Sequence, residues 1–133
     1  MIIDKNFPGL IKKAEYYEFI GDIVSDESII INLNLFLYVS GGITAGEGIT
    51  AGEGIVAGKG ITAGWGIKTL GEIKAGEGIT VGKWIEAGKG ITASWGIKAH
   101  GEIKAGEGIV AGEGITVGKW ITAGKGITAS WGI

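Results

Sequence analysis

Cysteine and arginine are absent from these 133 residues, and proline and histidine occur once each, as Pro8 and His100. Without cysteine there is no disulfide framework and no thiolate metal site. Without arginine the chain lacks the planar fork that reads phosphates and guanine edges. At a formal net charge of -2, from 12 basic and 14 acidic residues, specific nucleic-acid binding is not expected. Long apolar runs are missing too. The longest, around Ile29 to Val39, is interrupted by Asn32 and Asn34, and Met1 to Phe7 has neither the basic stretch nor the apolar core of a secretion signal. The expectation is a cytoplasmic protein with no membrane association, no metal and no cofactor.

What the sequence has in abundance is glycine, 28 residues of it, spaced on a six-residue lattice rather than at every third position as in collagen. From Ile43 to Ile133 an isoleucine stands at every sixth position without an insertion. A short unit with one apolar stripe must stack on copies of itself to bury that stripe, so the period is a fold signal. Two residues after each isoleucine comes a small or β-branched residue, usually Ala as in Ala45 and Ala51, but Thr69, Val81 and Val117 at three places. Strand alternation turns both members of the pair inward and leaves the Thr or Lys between them outward. The other three positions read glycine, variable, glycine, as in Gly46-Glu47-Gly48, which predicts a corner turned on positive φ.

Each hexad is therefore one strand and one corner, and the expected fold is all-β: a single-stranded parallel β-helix of six-residue repeats. Two or three strands per coil both fit the period; three is the preferred reading, with coils ~4.8 Å apart. Ile31 and Leu37 fall on the phase of Ile43, with Leu33 and Val39 in the alanine slot, so the solenoid is placed at residues 29–133 and residues 1–28 are read as an N-terminal cap. Leu10 to Tyr17 carries a weak helical pattern. On the three-sided reading one edge stacks Lys59, Glu77, Trp95, Glu113 and Trp131. The segments Ile79 to Ile97 and Ile115 to Ile133, which differ only at Glu86 against Thr122, bring Trp84 onto the face of Trp120, roughly 10 Å away at two coils.

The period resembles that of hexapeptide-repeat acyltransferases, which implies a histidine general base between subunits. Here, however, the small residue and the glycine follow the isoleucine at two and three, a departure from that family's hexad. His100 also occupies a slot that takes Leu70 in the aligned stretch Ile67 to Glu72, so a corner role is expected for it rather than catalysis. The corner glycines open no helix, as a nucleotide-binding loop must. The outward threonines, Thr44, Thr62 and Thr80 among them, raise ice binding, but Lys68, Lys74, Glu86, Lys98 and Lys104 interrupt them, and β-branched stacking accounts for the rest.

The Ile-x-Ala-Gly-x-Gly style over residues 31 to 133 looks like that of small glycine-rich repeat proteins of bacteria and phages, and more distantly like bactofilins, which implies architecture more than activity. The leading expectation is a non-enzymatic structural or protein-binding solenoid, with a phage-type inhibitor of a host defence protein as one form of it. The alternatives are an acyltransferase-like enzyme and a self-assembling bactofilin-like scaffold. The candidate partner-binding residues are Trp65, Trp84, Trp95, Trp120 and Trp131, because exposed tryptophan concentrates binding energy. A homodimer is expected through an uncapped C-terminal coil at Ile127, Trp131 and Ile133.

Overall fold

The computed structural model describes residues 1–133. Every regular element is a strand, and the ladders are parallel except where Ile11–Lys12 runs antiparallel to Tyr16–Phe19. One circuit of the chain visits three sheets. Ile43–Ala45 lies in the first, Ile49–Ala51 in the second and Ile55–Ala57 in the third; Ile61–Ala63 then returns beside Ile43–Ala45, with Ile61 opposite Ile43. Three hexads thus close one coil, and the solenoid is three-sided. The first sheet has six strands, the second seven and the third eight. No helix is long and apolar enough to cross a membrane.

The core follows the hexad. Ile43, Ile55, Ile61, Ile67, Ile73, Ile79, Ile91, Ile103 and Ile109 are fully buried, and the alanines two places on are nearly so. Parallel registry puts each isoleucine on the isoleucine of the next coil, which builds three continuous apolar columns. Where the alanine slot holds Thr69, its hydroxyl faces inward and donates to the Gly71 carbonyl at 2.9 Å, so no buried polar atom is left without a partner.

The expected left-handed corner glycines are not found. Only Gly9 (φ 84°) and Gly21 (φ 113°) have positive φ, and both lie upstream of the regular hexads. Glycine is required at the first corner position for a different reason, close approach. A Cβ on Gly64 would overlap the carbonyl oxygen of Gly46 one coil below, and a Cβ on Gly82 that of Gly64. Where a larger residue does take this position the ladder bond is kept: the amide-to-carbonyl distance is 3.0 Å at Ser40, 3.2 Å at Ser94 and 3.4 Å at Leu70, against 2.8 Å at Gly58 and 3.3 Å at Gly52.

The N-terminal reading needs three corrections. Ile31 does not occupy the isoleucine column: Ile29 stands opposite Ile49 and Ile31 opposite Ala51, so the phase upstream is displaced by two. Leu10 to Tyr17 is not helical; it holds the strand Ile11–Lys12 and the start of Tyr16–Phe19. The parallel stack also reaches into residues 1–28. Tyr17 pairs with Leu37 in the third sheet and Ile23 with Ile43 in the first, and Ile2–Ile3 extends the second sheet beside Ile29–Ile31. Phe7, Leu10 and Phe19 pack against the end of the core from outside it.

Candidate functional site

The three corners repeat in register and form three edges along the solenoid. The first edge, between first and second sheets, has the middle column Glu27, Glu47, Trp65, Lys83, Gly101, Lys119, tied rung to rung by backbone hydrogen bonds such as Lys83 N to Trp65 O at 2.7 Å. The second edge carries Gly71, Lys89, Glu107 and Lys125, and no tryptophan. The third carries Lys59, Glu77, Trp95, Glu113 and Trp131, the order expected for a three-sided coil.

All five tryptophans therefore stand on the two edges that border the first sheet. Trp65 and Trp95 are each 53% exposed, Trp84 41%, Trp120 60% and Trp131 80%. The sheet between them presents Val24, Thr44, Thr62, Thr80, Lys98 and Thr116, one outward side chain per strand, so its face has a single charge. The other two sheets present more: Lys68, Glu86 and Lys104 on the second, Glu18 and Lys74 on the third, while all three edges carry charged columns. Across these sides the ion pairs Lys68–Glu86 at 4.0 Å and Lys125–Glu107 at 3.8 Å are exposed and contribute little to stability.

The tryptophans differ in how they are held. Trp84 occupies the last corner position of its rung and its indole lies over Gly66 in the coil below, where an added Cβ would come within 2.7 Å of indole Cδ2. Trp120 occupies the same position two coils on, but the rung beneath it holds Glu102 where Trp84 has Gly66. The lysine ammonium of Lys83 stands 5.5 Å from the ring centroid of Trp65, a cation–π contact between consecutive rungs.

His100 sits exposed on the first edge, in a shallow notch of ≈ 370 Å³ lined by Lys83, Trp84, Gly101, Glu102 and Lys119. A larger concavity, ≈ 610 Å³, opens at the N-terminal end between Asp4, Lys5, Asn6, Lys12, Tyr17 and Asn34. It is wide and polar, and Asp4 is its only carboxylate, so we favour the aromatic edges as the site. No three His, Asp or Glu side chains converge as a metal site. At the other end Ile127 is half-buried while Trp131 and Ile133 are exposed.

The spacing rule that finds the Trp84–Trp120 pairing also finds the contact of Lys83 with Trp65, which stand eighteen residues apart; reading only the two copies that lie 36 residues apart misses it. The gap at Gly101, between Lys83 and Lys119, comes from the same rule. The fold and its edges define a three-sided parallel β-solenoid with two tryptophan-bearing rims. No protein-family model, curated protein or solved structure matches the chain. The resemblances to hexapeptide-repeat enzymes and to bactofilins rest on period and motif.

Proposed function

We propose that this protein is a non-enzymatic binding scaffold that captures a protein partner on the first sheet and its two rims. One observation carries the reading: five large aromatics stand exposed on the two edges that border the least charged face, and none stands on the second edge. A rigid stack presents such side chains with little loss of conformational entropy on binding, and tryptophan leads the residue types that dominate interfaces. An inhibitor that docks on a host defence protein is one form of this proposal. Self-association through Ile127, Trp131 and Ile133 belongs to it as well, supported by the exposure of Trp131 and Ile133 and the half-burial of Ile127, where Ile91 and Ile109 are buried.

The test is affinity capture with the full chain, read by mass spectrometry, beside the double substitution Trp84→Thr and Trp120→Thr. The expected result is loss of the captured protein while circular dichroism still reports β structure. Capture at the wild-type level removes the first edge from the binding surface. His100→Leu serves as the enzymatic control: biological activity that survives it excludes a histidine-dependent reaction.

A further inference from the structure

The first edge is charged asymmetrically along its length. Its middle column runs Glu27, Glu47, Trp65, Lys83, Gly101, Lys119, so two acids precede the aromatic and two bases follow it, with a glycine gap between the bases. Asp26 adds to the acidic end. At the basic end Lys98 and Lys104 flank the Gly101 rung from the strands before and after it, and only Glu86 and Glu102 oppose them.

We infer that this edge is self-complementary and that its occupant is a second copy of the chain, laid antiparallel along it. A two-fold axis between the Trp65 and Lys83 rungs sets Glu27 against Lys119 of the second copy. It sets Glu47 into the gap at Gly101 of the second copy, among that copy's four lysines, and Trp65 against its Lys83. On the second sheet the same axis opposes Lys68 to Glu86. Each pairing occurs twice, as an isologous contact requires. The competing arrangements each bring like charges together. Parallel in-register pairing puts each acid on an acid and each lysine on a lysine. An antiparallel pairing moved by one rung pairs Glu47 with a lysine but sets Lys68 against itself in one direction and Lys83 against itself in the other, and in either case Glu27 and Lys119 lose each other.

Size limits the strength. Six rungs at ~4.8 Å give an edge ~25 Å long, and at ~10 Å wide it offers roughly 250 Å² per copy, well below the ~800 Å² of a standard interface. The dimer is therefore weak, forms at high protein concentration and is lost as salt screens its charge pairs. Pairing at Ile127, Trp131 and Ile133 would not share this salt dependence, and capture of another protein is a separate property read by the experiment above.

Two variants test it by sedimentation equilibrium over a concentration series at low and high salt. Glu27→Lys with Glu47→Lys makes the whole edge basic, and Lys83→Glu with Lys119→Glu makes it acidic. Each alone is expected to dimerise at least about tenfold more weakly than the wild type. An equimolar mixture is expected to recover the dimer, since one copy's edge is then basic and the other's acidic, with one of the two contacts between Trp65 and a lysine kept; recovery also shows that both variants fold. A wild-type chain that stays monomeric at the highest concentration, variants that dimerise as well as the wild type, or a mixture that stays monomeric would each overturn the inference.

Discussion

The coils before and after Gly41 solve the same problem with different materials. Upstream, successive coils are twenty residues apart, as Tyr17 to Leu37 and Ile29 to Ile49 show; downstream they are eighteen, from Leu37 to Ile55 onward. Upstream corners are held by side chains: Ser40 Oγ accepts from Gly21 N at 2.8 Å, Asp22 Oδ1 from Gly42 N at 2.8 Å, and Ser28 Oγ from Gly48 N at 3.4 Å. Downstream the corners are held by backbone bonds alone, apart from Thr69. Aromatic packing divides likewise. Tyr16 stacks on Phe36 at 5.2 Å and Phe7 meets Phe19 at 5.8 Å, whereas no two tryptophans pair. Upstream, polar side chains add to the backbone bonds of the corner, and Asp22 Oδ1 lies directly against the Gly41–Gly42 backbone of the next coil.

The largest effect that would sharpen this contrast is in the core. Ile79 is fully buried between the isoleucines of adjacent coils, and ladder bonds on both sides prevent the walls from closing on a void. Ile79→Ala is expected to cost about 2–5 kcal/mol. Leu33 is 8% exposed and lies in the long corner between Ile31 and Phe36, which can relax around a smaller residue. Leu33→Ala is expected to cost about 2 kcal/mol or less. Urea denaturation of both variants checks the order, and equal losses would mean that the irregular coil is as rigid as the stack.

Next in size is the glycine wall. Gly82→Ala drives a methyl into the Gly64 carbonyl and is expected to cost about 1–3 kcal/mol. Gly78→Ala places its methyl 3.3 Å from the Gly96 oxygen, at a corner's last position, and is expected to change stability by under about 0.5 kcal/mol in either direction. If the two cost the same, backbone conformation rather than close approach selects glycine, and the left-handed corner regains its case.

These positions also mark what the sequence discloses. The isoleucine columns, the alanine slots and the edge of Lys59 to Trp131 are legible because each coil is a whole number of hexads. The first coils are harder because the corner between Ile31 and Leu37 holds two extra residues. Tyr17, Ile23 and Ile29 keep the six-residue beat, but out of phase with Leu37, so extending the later phase backward lands on Ile31. Glycine's role was not legible either. The same Gly-x-Gly string serves positive φ and close approach, and only the position of the neighbouring coil's carbonyl distinguishes them. For the site, the sequence on its three-sided reading set Trp95 with Trp131 and Trp84 with Trp120, but did not disclose that both edges border the same sheet or that Trp65 shares the edge of Trp84.

The smallest effect concerns two tryptophans whose local sequences are identical. Lys83-Trp84-Ile85 and Lys119-Trp120-Ile121 differ in the rung beneath, Gly66 in one case and Glu102 in the other, and their indoles are 41% and 60% exposed. The extra area that Trp84 covers corresponds to roughly 1 kcal/mol at ordinary transfer values. Trp84→Thr is thus expected to lower stability by about that amount, and Trp120→Thr by less than about half of it. Glu102→Gly should then let Trp120 settle on its lower neighbour as Trp84 does. In a background where Trp120 is the sole tryptophan, its emission is expected to shift to the blue and its quenching by acrylamide to fall. An unshifted spectrum would mean that the carboxylate beneath Trp120 does not hold its ring off the stack, and that the greater exposure arises instead from its place two coils nearer the C-terminal end.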